Sequence, residues 1–170
     1  MRSKRNNSHI FIVDDDPIIR YSLKELLSLE GFIVQAFPDG ETALQFAQTF
    51  PCDLLIADIN MPGLTGYDLL KIVKERHPDI IVILITAYGS IQGAVNGIKL
   101  GAFEYVTKPL NDEEVKICID RALEQKYLRQ ENLELRKQLG EKFGFRNLIG
   151  NDCEPSSGLA GPGRLDGGVE

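Results

Sequence analysis

Polar side chains that can act on phosphate follow four short apolar runs of this sequence. They comprise three acids, a hydroxyl and an amine: Asp14 and Asp15 after the first run, then Asp58, Thr86 and Lys108. Carboxylates brought close together repel one another, and a nearby cation is needed to keep all of them ionised. Carboxylate oxygens, a backbone carbonyl and water suit octahedral Mg²⁺. The acids therefore predict a magnesium site.

Four residues are the candidate metal ligands. We expect Asp15 and Asp58 to bind the ion directly and Asp14 to act through water. The backbone carbonyl of Asn60, two residues after Asp58, is the candidate third direct ligand.

A carboxylate beside Mg²⁺ can attack phosphorus and form an aspartyl phosphate. The incoming phosphoryl group carries three oxygens: the ion takes one, the Lys108 ammonium a second and the Thr86 hydroxyl a third. Phosphoryl transfer needs mainly positioning and charge neutralisation. We therefore predict transfer of a phosphoryl group to Asp58.

The elements that position these groups are strands alternating with helices. The predicted strands are His9–Val13, Phe32–Phe37, Asp53–Ala57, Ile80–Ile85 and Phe103–Val106. Asp16 before Pro17 is the expected start of the first helix, Gly31 its end, and Asp112 the cap of a long last helix. Such alternation predicts an α/β fold, a doubly wound five-stranded parallel sheet of order 2-1-3-4-5. In that order strands 1, 3, 4 and 5 deliver the polar groups to one edge.

Composition excludes several other classes. A hydrophobic fraction of 43% and a charged fraction of 26% are typical of a globular domain. The net charge of −6 argues against direct nucleic-acid contact. No apolar run reaches the ~18 residues of a membrane span, and no signal peptide is visible. Three cysteines without metal-ligand spacing indicate reduced thiols and a cytoplasmic location.

Four short segments carry a resemblance to a known family. They are Val13-Asp14-Asp15, Asp58-Ile59-Asn60-Met61-Pro62-Gly63, Thr86-Ala87 and Tyr105-Val106-Thr107-Lys108-Pro109. In order and spacing they resemble the response-regulator receiver domain of bacterial two-component signalling, whose fold is flavodoxin-like (CheY-like).

The resemblance implies roles for individual residues. It makes Asp58 the acceptor of a phosphoryl group from a histidine kinase, with Asp14, Asp15 and the Asn60 carbonyl at Mg²⁺. It makes Thr86 and Lys108 phosphoryl contacts and Tyr105 an aromatic switch that turns inward when Thr86 moves. It also implies a cis bond between Lys108 and Pro109. Such a protein is a signalling switch that catalyses only its own phosphorylation and dephosphorylation.

The last helix continues past the receiver as a candidate dimerisation linker. Its heptad positions are occupied by Leu128, Asn132, Leu135 and Leu139. A single buried Asn at an a position favours a parallel two-stranded coiled coil in one register. We therefore predict a homodimer, with a solvated helical linker as the alternative.

We divide the chain into a disordered leader (1–8), a receiver (9–123), a helical linker (124–142), a short segment (143–150) and a disordered tail or cloning scar (151–170). Segment 143–150 resembles the start of the AAA+ domain in enhancer-binding activators that work with the nitrogen-type sigma factor. No Walker A motif follows it. We therefore expect a truncated regulator without its ATPase and DNA-binding output domains.

Three other functions remain open. A stand-alone receiver would act by protein–protein interaction. A haloacid-dehalogenase-like phosphatase needs its nucleophile in Asp-x-Asp-x-Thr/Val after strand 1, whereas Asp14-x-Asp16 is followed here by Pro17. A flavodoxin-like FMN binder needs a Ser/Thr/Gly-rich phosphate loop where this chain has three acids.

Overall fold

The computed structural model describes residues 6–150 of the chain, with side chains described through residue 140. Strands and helices alternate along it. The strands are β1 (His9–Val13), β2 (Ile33–Phe37), β3 (Leu54–Asp58), β4 (Ile81–Thr86) and β5 (Glu104–Thr107). The helices are α1 (Pro17–Leu29), α2 (Gly40–Ala47), α3 (Gly66–Arg76), α4 (Ile91–Lys99) and α5 (Asp112–Gly150).

The strands form one parallel sheet of order β2-β1-β3-β4-β5, which confirms the predicted topology. Chain order reverses between β1 and β3, and side chains after these strands therefore meet at one crevice. The registers bring Val13 opposite Ala57 and Thr86 opposite Thr107. The carboxyl ends of the four site-bearing strands are thus aligned.

The central strands are apolar because helices cover both sheet faces. Every residue of β3 is buried, and so is every residue of β4 after Ile81. Continuous aliphatic runs are the expected composition of such strands. β3 extends one residue further than predicted and includes Asp58. The starts of β2 and β3 and both limits of β4 and β5 also lie one residue later than predicted, whereas both limits of β1 and the end of β2 agree.

Caps explain where the helices begin. Asp16 accepts a hydrogen bond from the backbone N–H of Ile18 at 2.9 Å, as the sequence predicts. The predicted Asp112 cap is wrong, because the Asn111 side chain accepts hydrogen bonds from the Glu113 and Glu114 N–H groups at 2.9 and 3.2 Å. An Asn side chain is short enough to reach back to these amides.

The end of α1 lies next to the predicted stop at Gly31. Gly31 follows the helix with φ of +93°, a conformation that favours glycine. Leu29, the last residue of α1, is 84% exposed. The apolar face of α1 packs through Leu23 and Leu27, which are four residues apart and therefore share one side of the helix.

The chain divides into two compact units, the first ending at Lys126 and the second starting at Tyr127. The boundary lies three residues beyond the predicted end of the receiver. In the first unit, Lys126 is only 7% exposed and its Nζ lies 3.0 Å from Asp53 Oδ1. Asp53 also accepts a hydrogen bond from the His9 N–H at 2.8 Å. Lys126 therefore holds α5 against the amino-terminal edge of the sheet.

Several assigned segments lie partly outside the described residues. This holds for residues 1–5 of the leader, the tail 151–170 and the side chains of 143–150, whose backbone is helical. Residues 6–8 are described, and Ser8 is 1% exposed with its carbonyl accepting a hydrogen bond from the Ile33 N–H. Within residues 6–150, no helix is both long and apolar enough to cross a bilayer.

Candidate functional site

Three carboxylates converge where β1 and β3 end. Asp14 is fully buried, Asp58 is 4% exposed and Asp15 is exposed to solvent. One oxygen from each lies within 4.8 Å of the others. The backbone at Asp14 continues the pairing of β1, because its N–H donates to the Phe37 carbonyl. The sheet therefore delivers the acid cluster that was inferred from the sequence.

The loop after β3 needs a glycine to return to the sheet. A Cβ at Gly66 would lie 2.7 Å from the Asp58 carbonyl oxygen and 2.7 Å from Ile59 Cα. The Gly66 N–H donates to the Ile59 carbonyl at 3.0 Å. This close backbone approach fixes the start of α3 beside the acid cluster.

Lys108 lies between the two buried acids. Its Nζ is 3.1 Å from Asp14 Oδ2 and 3.4 Å from Asp58 Oδ2. The Lys108 N–H donates to the Thr86 carbonyl at 2.7 Å, which attaches the loop to the end of β4. The Lys108–Pro109 peptide bond is cis, as the resemblance implied. Pro109 itself is exposed.

The charges of this cluster shift one another's titration. Burial raises the pKa of Asp58, the Asp14 charge raises it further, and Lys108 and the Asn60 N–H offset part of this rise. Burial lowers the pKa of Lys108, but its contacts with Asp14 and Asp58 outweigh this effect and leave the pKa above its usual range. Lys108 is therefore a cation at neutral pH, as a phosphoryl contact requires.

Thr86 is buried, and its hydroxyl is already engaged. Thr86 Oγ1 accepts hydrogen bonds from Asn60 Nδ2 and from the Tyr88 N–H, each at 3.1 Å. Asn60 was predicted to contribute only its carbonyl, so this side-chain contact is new. The position of Asn60 in the sequence could have predicted this contact, because a residue just past β3 faces the end of neighbouring β4.

Arg20 is a second residue that the sequence analysis missed. Its Nη1 donates a hydrogen bond to the Asp14 carbonyl at 2.6 Å. Arg20 lies one turn into α1, and side chains of the first turn of a helix can reach back over the loop that precedes it. The sequence could have indicated this contact, because Arg20 is a cation six residues after Asp14.

Tyr105 lies on β5 and is half-buried. Its ring packs beside Gly93 and Gly97 of α4 and close to Tyr67 of α3. It is therefore adjacent to the core but outside the acid cluster. The four linker residues belong to the second unit, and the three leucines are 50 to 55% exposed; their pairing with a second copy stays a prediction.

The donor set fits Mg²⁺. Asp14 Oδ2 is buried with no aligned hydrogen-bond donor, and it is the sole such side-chain atom among the described residues. A buried carboxylate oxygen without a hydrogen-bond donor needs a further positive charge or donor beyond the single Lys108 contact. Three carboxylates with one of them solvent-accessible are the oxygen-rich, partly open arrangement that Mg²⁺ favours.

Comparison with known proteins agrees with this geometry. The family model "Response regulator receiver domain" matches residues 10–120. The chain is 40% identical over 113 residues to the DNA-binding transcriptional regulator NtrC of Klebsiella pneumoniae, covering 66% of this chain and 24% of that protein. It is 35% identical over 144 residues to an NtrX-like response regulator of Rickettsia bellii, covering 84% of this chain and 30% of the relative.

A solved structure of a related response regulator also resembles this chain. The crystal structure of NtrX from Brucella abortus in complex with ADP superposes with a TM-score of 0.73 at 32% identity, covering 79% of this chain and 30% of that one. The chain thus spans only 24 to 30% of the length of these relatives.

Proposed function

Because the chain belongs to the family of response regulator receiver domains, we propose that Asp58 accepts a phosphoryl group from a histidine kinase. The observation that carries this proposal is the position of Asp58, which is 4% exposed at a strand end with Lys108 Nζ 3.4 Å from Oδ2. A buried carboxylate facing a cation and two other acids is arranged for chemistry on an anion.

The proposed reaction transfers the phosphoryl group between two side chains. An Asp58 oxygen attacks the phosphorus of a phosphohistidine, an O–P bond forms, and the N–P bond to imidazole breaks. The electron pair of that bond stays on the histidine, which leaves as neutral imidazole after taking a proton. The Lys108 ammonium then pairs with a phosphoryl oxygen, and Asp14 keeps it oriented.

We propose that four residues hold Mg²⁺: Asp14, Asp15, Asp58 and Asn60, the last through its backbone carbonyl. The bound ion supplies positive charge that offsets the repulsion between the carboxylates and the transferred group. Asp14 and Asp58 also face Lys108, whereas Asp15 is exposed and holds the solvent side of the cluster.

Thr86 and Tyr105 are the proposed switch. To donate to a phosphoryl oxygen, the Thr86 hydroxyl turns from its contacts with Asn60 and Tyr88 towards Asp58. This movement opens space beside β5 that Tyr105 can occupy. We propose that the resulting change on β4, α4 and β5 alters the association of receivers through Leu128, Asn132, Leu135 and Leu139 in a cytoplasmic homodimer.

The output that we propose is transcriptional. The matched relatives include a DNA-binding transcriptional regulator about four times as long as the aligned segment. We infer that a receiver and linker of this kind control an AAA+ output domain, with no direct nucleic-acid contact by residues 9–123.

Intact mass after incubation with acetyl phosphate and Mg²⁺ tests the proposal. We expect one phosphoryl adduct on the wild type, and none with EDTA or on Asp58→Asn. Asp53→Asn is a matched control, because this acid directly precedes β3, at the opposite end from Asp58, and its substitution should leave the adduct intact.

Two results would count against the assignment. An adduct that persists on Asp58→Asn would exclude Asp58 as the acceptor. Turnover of phosphate esters that survives Asp58→Asn would favour the phosphatase. Failure of a small donor to phosphorylate the wild type would be resolved by beryllofluoride, which binds a receiver site without any phosphoryl transfer.

A further inference from the structure

The loop between β1 and α1 carries Asp15 between two peptide groups that each have a fixed partner. Arg20 Nη1 donates a hydrogen bond to the Asp14 carbonyl at 2.6 Å, and this carbonyl belongs to the peptide that leads into Asp15. The Asp16 N–H, from the peptide that follows Asp15, donates to Asp14 Oδ1 at 2.9 Å. Because each peptide unit is planar, these two bonds restrict the backbone on both sides of Asp15.

Arg20 can hold this loop because its own backbone is fixed on α1. Its N–H donates to the Asp16 carbonyl at 3.1 Å, which is the first hydrogen bond of the helix. The Asp16 side chain in turn caps the helix by accepting a hydrogen bond from the Ile18 N–H. The main chain of Arg20 therefore binds one end of the loop, and its half-buried side chain binds the other end at Asp14. The loop and the first turn of α1 form one closed unit.

The contact of Arg20 differs in kind from that of Lys108. Lys108 Nζ pairs with carboxylate oxygens of Asp14 and Asp58. Arg20 donates instead to a backbone carbonyl, where a hydrogen bond orients a peptide and neutralises no carboxylate. Asp14 and Asp58 are buried, whereas the Asp15 side chain is exposed. Asp15 is therefore the acid of the cluster whose position depends most on its backbone.

We propose that Arg20 is a positioning residue of the Mg²⁺ site, which orders the Asp14–Asp15 peptide and thereby keeps the exposed Asp15 carboxylate beside Asp14 and Asp58. One oxygen of each acid lies within 4.8 Å of the others. This role rests on the proposed function, because Asp15 is assigned there to the ion. Arg20 acts through the backbone at Asp15 and is not itself a ligand.

Charge and positioning predict opposite effects of removing Arg20. A cation near three acids offsets their repulsion, so the loss of its charge alone should make Mg²⁺ bind more tightly. A ligand that is already ordered loses less entropy on binding, so the loss of positioning should make Mg²⁺ bind more weakly. The direction of the change in affinity therefore decides between the two effects.

The first arm of the test measures the order of the loop in EDTA. The full chain is labelled with ¹⁵N, and relaxation gives an order parameter for the Asp15 N–H, which shares its peptide with the Asp14 carbonyl. We expect a value of about 0.85 in the wild type, typical of rigid backbone, and a clear decrease in Arg20→Gln. The Leu27 N–H should keep its order in the variant, because this residue of α1 is buried.

The second arm measures Mg²⁺ affinity from the shifts of amide signals during titration with the ion. Residues that support a metal ligand from behind contribute about ten- to a hundredfold to affinity, so we expect Arg20→Gln to weaken binding by about tenfold. Arg20→Lys keeps the charge and a hydrogen-bond donor but loses the planar guanidinium, and should recover part of this loss.

Lys24→Gln is the matched control. Lys24 is exposed on α1 one turn after Arg20, so this variant also loses one positive charge from the same helix. It should leave both the order of the Asp15 N–H and the Mg²⁺ affinity as they are in the wild type.

The two arms can each overturn the role of Arg20. An Asp15 order parameter that is unchanged in Arg20→Gln, or lowered equally in Lys24→Gln, overturns the hold of Arg20 on the loop. A Mg²⁺ affinity of Arg20→Gln equal to or above that of the wild type overturns its contribution to the metal site. Failure of the proposed function is distinguishable, because the wild type itself would then bind no Mg²⁺ at these acids.

Discussion

The Asp58 carboxylate is buried and faces a second carboxylate, and both conditions oppose its charge. Its raised pKa means that the folded protein holds the Asp58 proton more tightly than the unfolded chain does. Stability therefore falls as pH rises from the unperturbed value of 3.8 through the pKa of the folded state. At neutral pH, without metal, ionised Asp58 costs stability.

Asp58→Asn should accordingly raise the free energy of unfolding at neutral pH in EDTA. The neutral amide removes the repulsion from Asp14, while Lys108 keeps its 3.1 Å contact with Asp14. The advantage should shrink as pH falls through the folded-state pKa of Asp58 and vanish below 3.8. Urea unfolding of both proteins at several pH values measures this. A variant less stable than the wild type at neutral pH would contradict it.

Mg²⁺ should stabilise the folded wild type, because an ion that binds only the folded state shifts the unfolding equilibrium. The expected gain is about 2.7 kcal/mol at a Mg²⁺ concentration ~100 times Kd. Asp15→Asn should fold normally, since this side chain is exposed, and should lose most of the gain. Thermal unfolding with and without Mg²⁺ checks both proteins. An equal gain in the variant would remove Asp15 from the ligand set.

At the scale of elements, the start of α5 depends on one side chain that precedes it. Asn111→Ala should reduce the free energy of unfolding by about 1 kcal/mol, because two backbone N–H groups lose their acceptor. Asp112→Ala, the neighbouring change, removes no cap and should cost less. Denaturant midpoints of the two variants decide between the observed cap and the one predicted from the sequence.

The contact between Lys126 and Asp53 should stabilise α5 further along the helix. Lys126→Met keeps the length of the side chain but leaves Asp53 without its cation, and should cost about 2 kcal/mol of stability. Lys137→Met is the control, because Lys137 is exposed on the same helix. Equal midpoints for these two variants would show that the buried contact contributes nothing.

At the scale of the whole molecule, the predicted homodimer depends on which leucines of α5 meet a second copy. Leu133 and Leu135 are similarly exposed, at 57% and 53%. Only Leu135 lies on the predicted seam with Leu128, Asn132 and Leu139. Leu135→Lys should therefore abolish association, whereas Leu133→Lys should preserve it. Light scattering over a range of concentrations measures the mass. Two variants with the same mass as the wild type would reject the seam.

The sequence by itself determined the sheet order and the membership of the acid cluster. Parallel strands must align their carboxyl ends, and the apolar runs before Asp14, Asp58 and Thr86 are unambiguous. Lys108 could be included because it follows a fifth strand in the same alternation. These conclusions needed only local patterns and the topology of one sheet.

Contacts between distant segments were decided only by the tertiary structure. The Asn60 hydrogen bond to Thr86 joins residues 26 apart, and the Lys126 contact with Asp53 joins residues 73 apart. Gly93 and Gly97 have low helix propensity, but only packing shows that the rings of Tyr67 and Tyr105 lie against them. Propensity depends on neighbours along the chain, whereas these contacts depend on which side chains the sheet brings together.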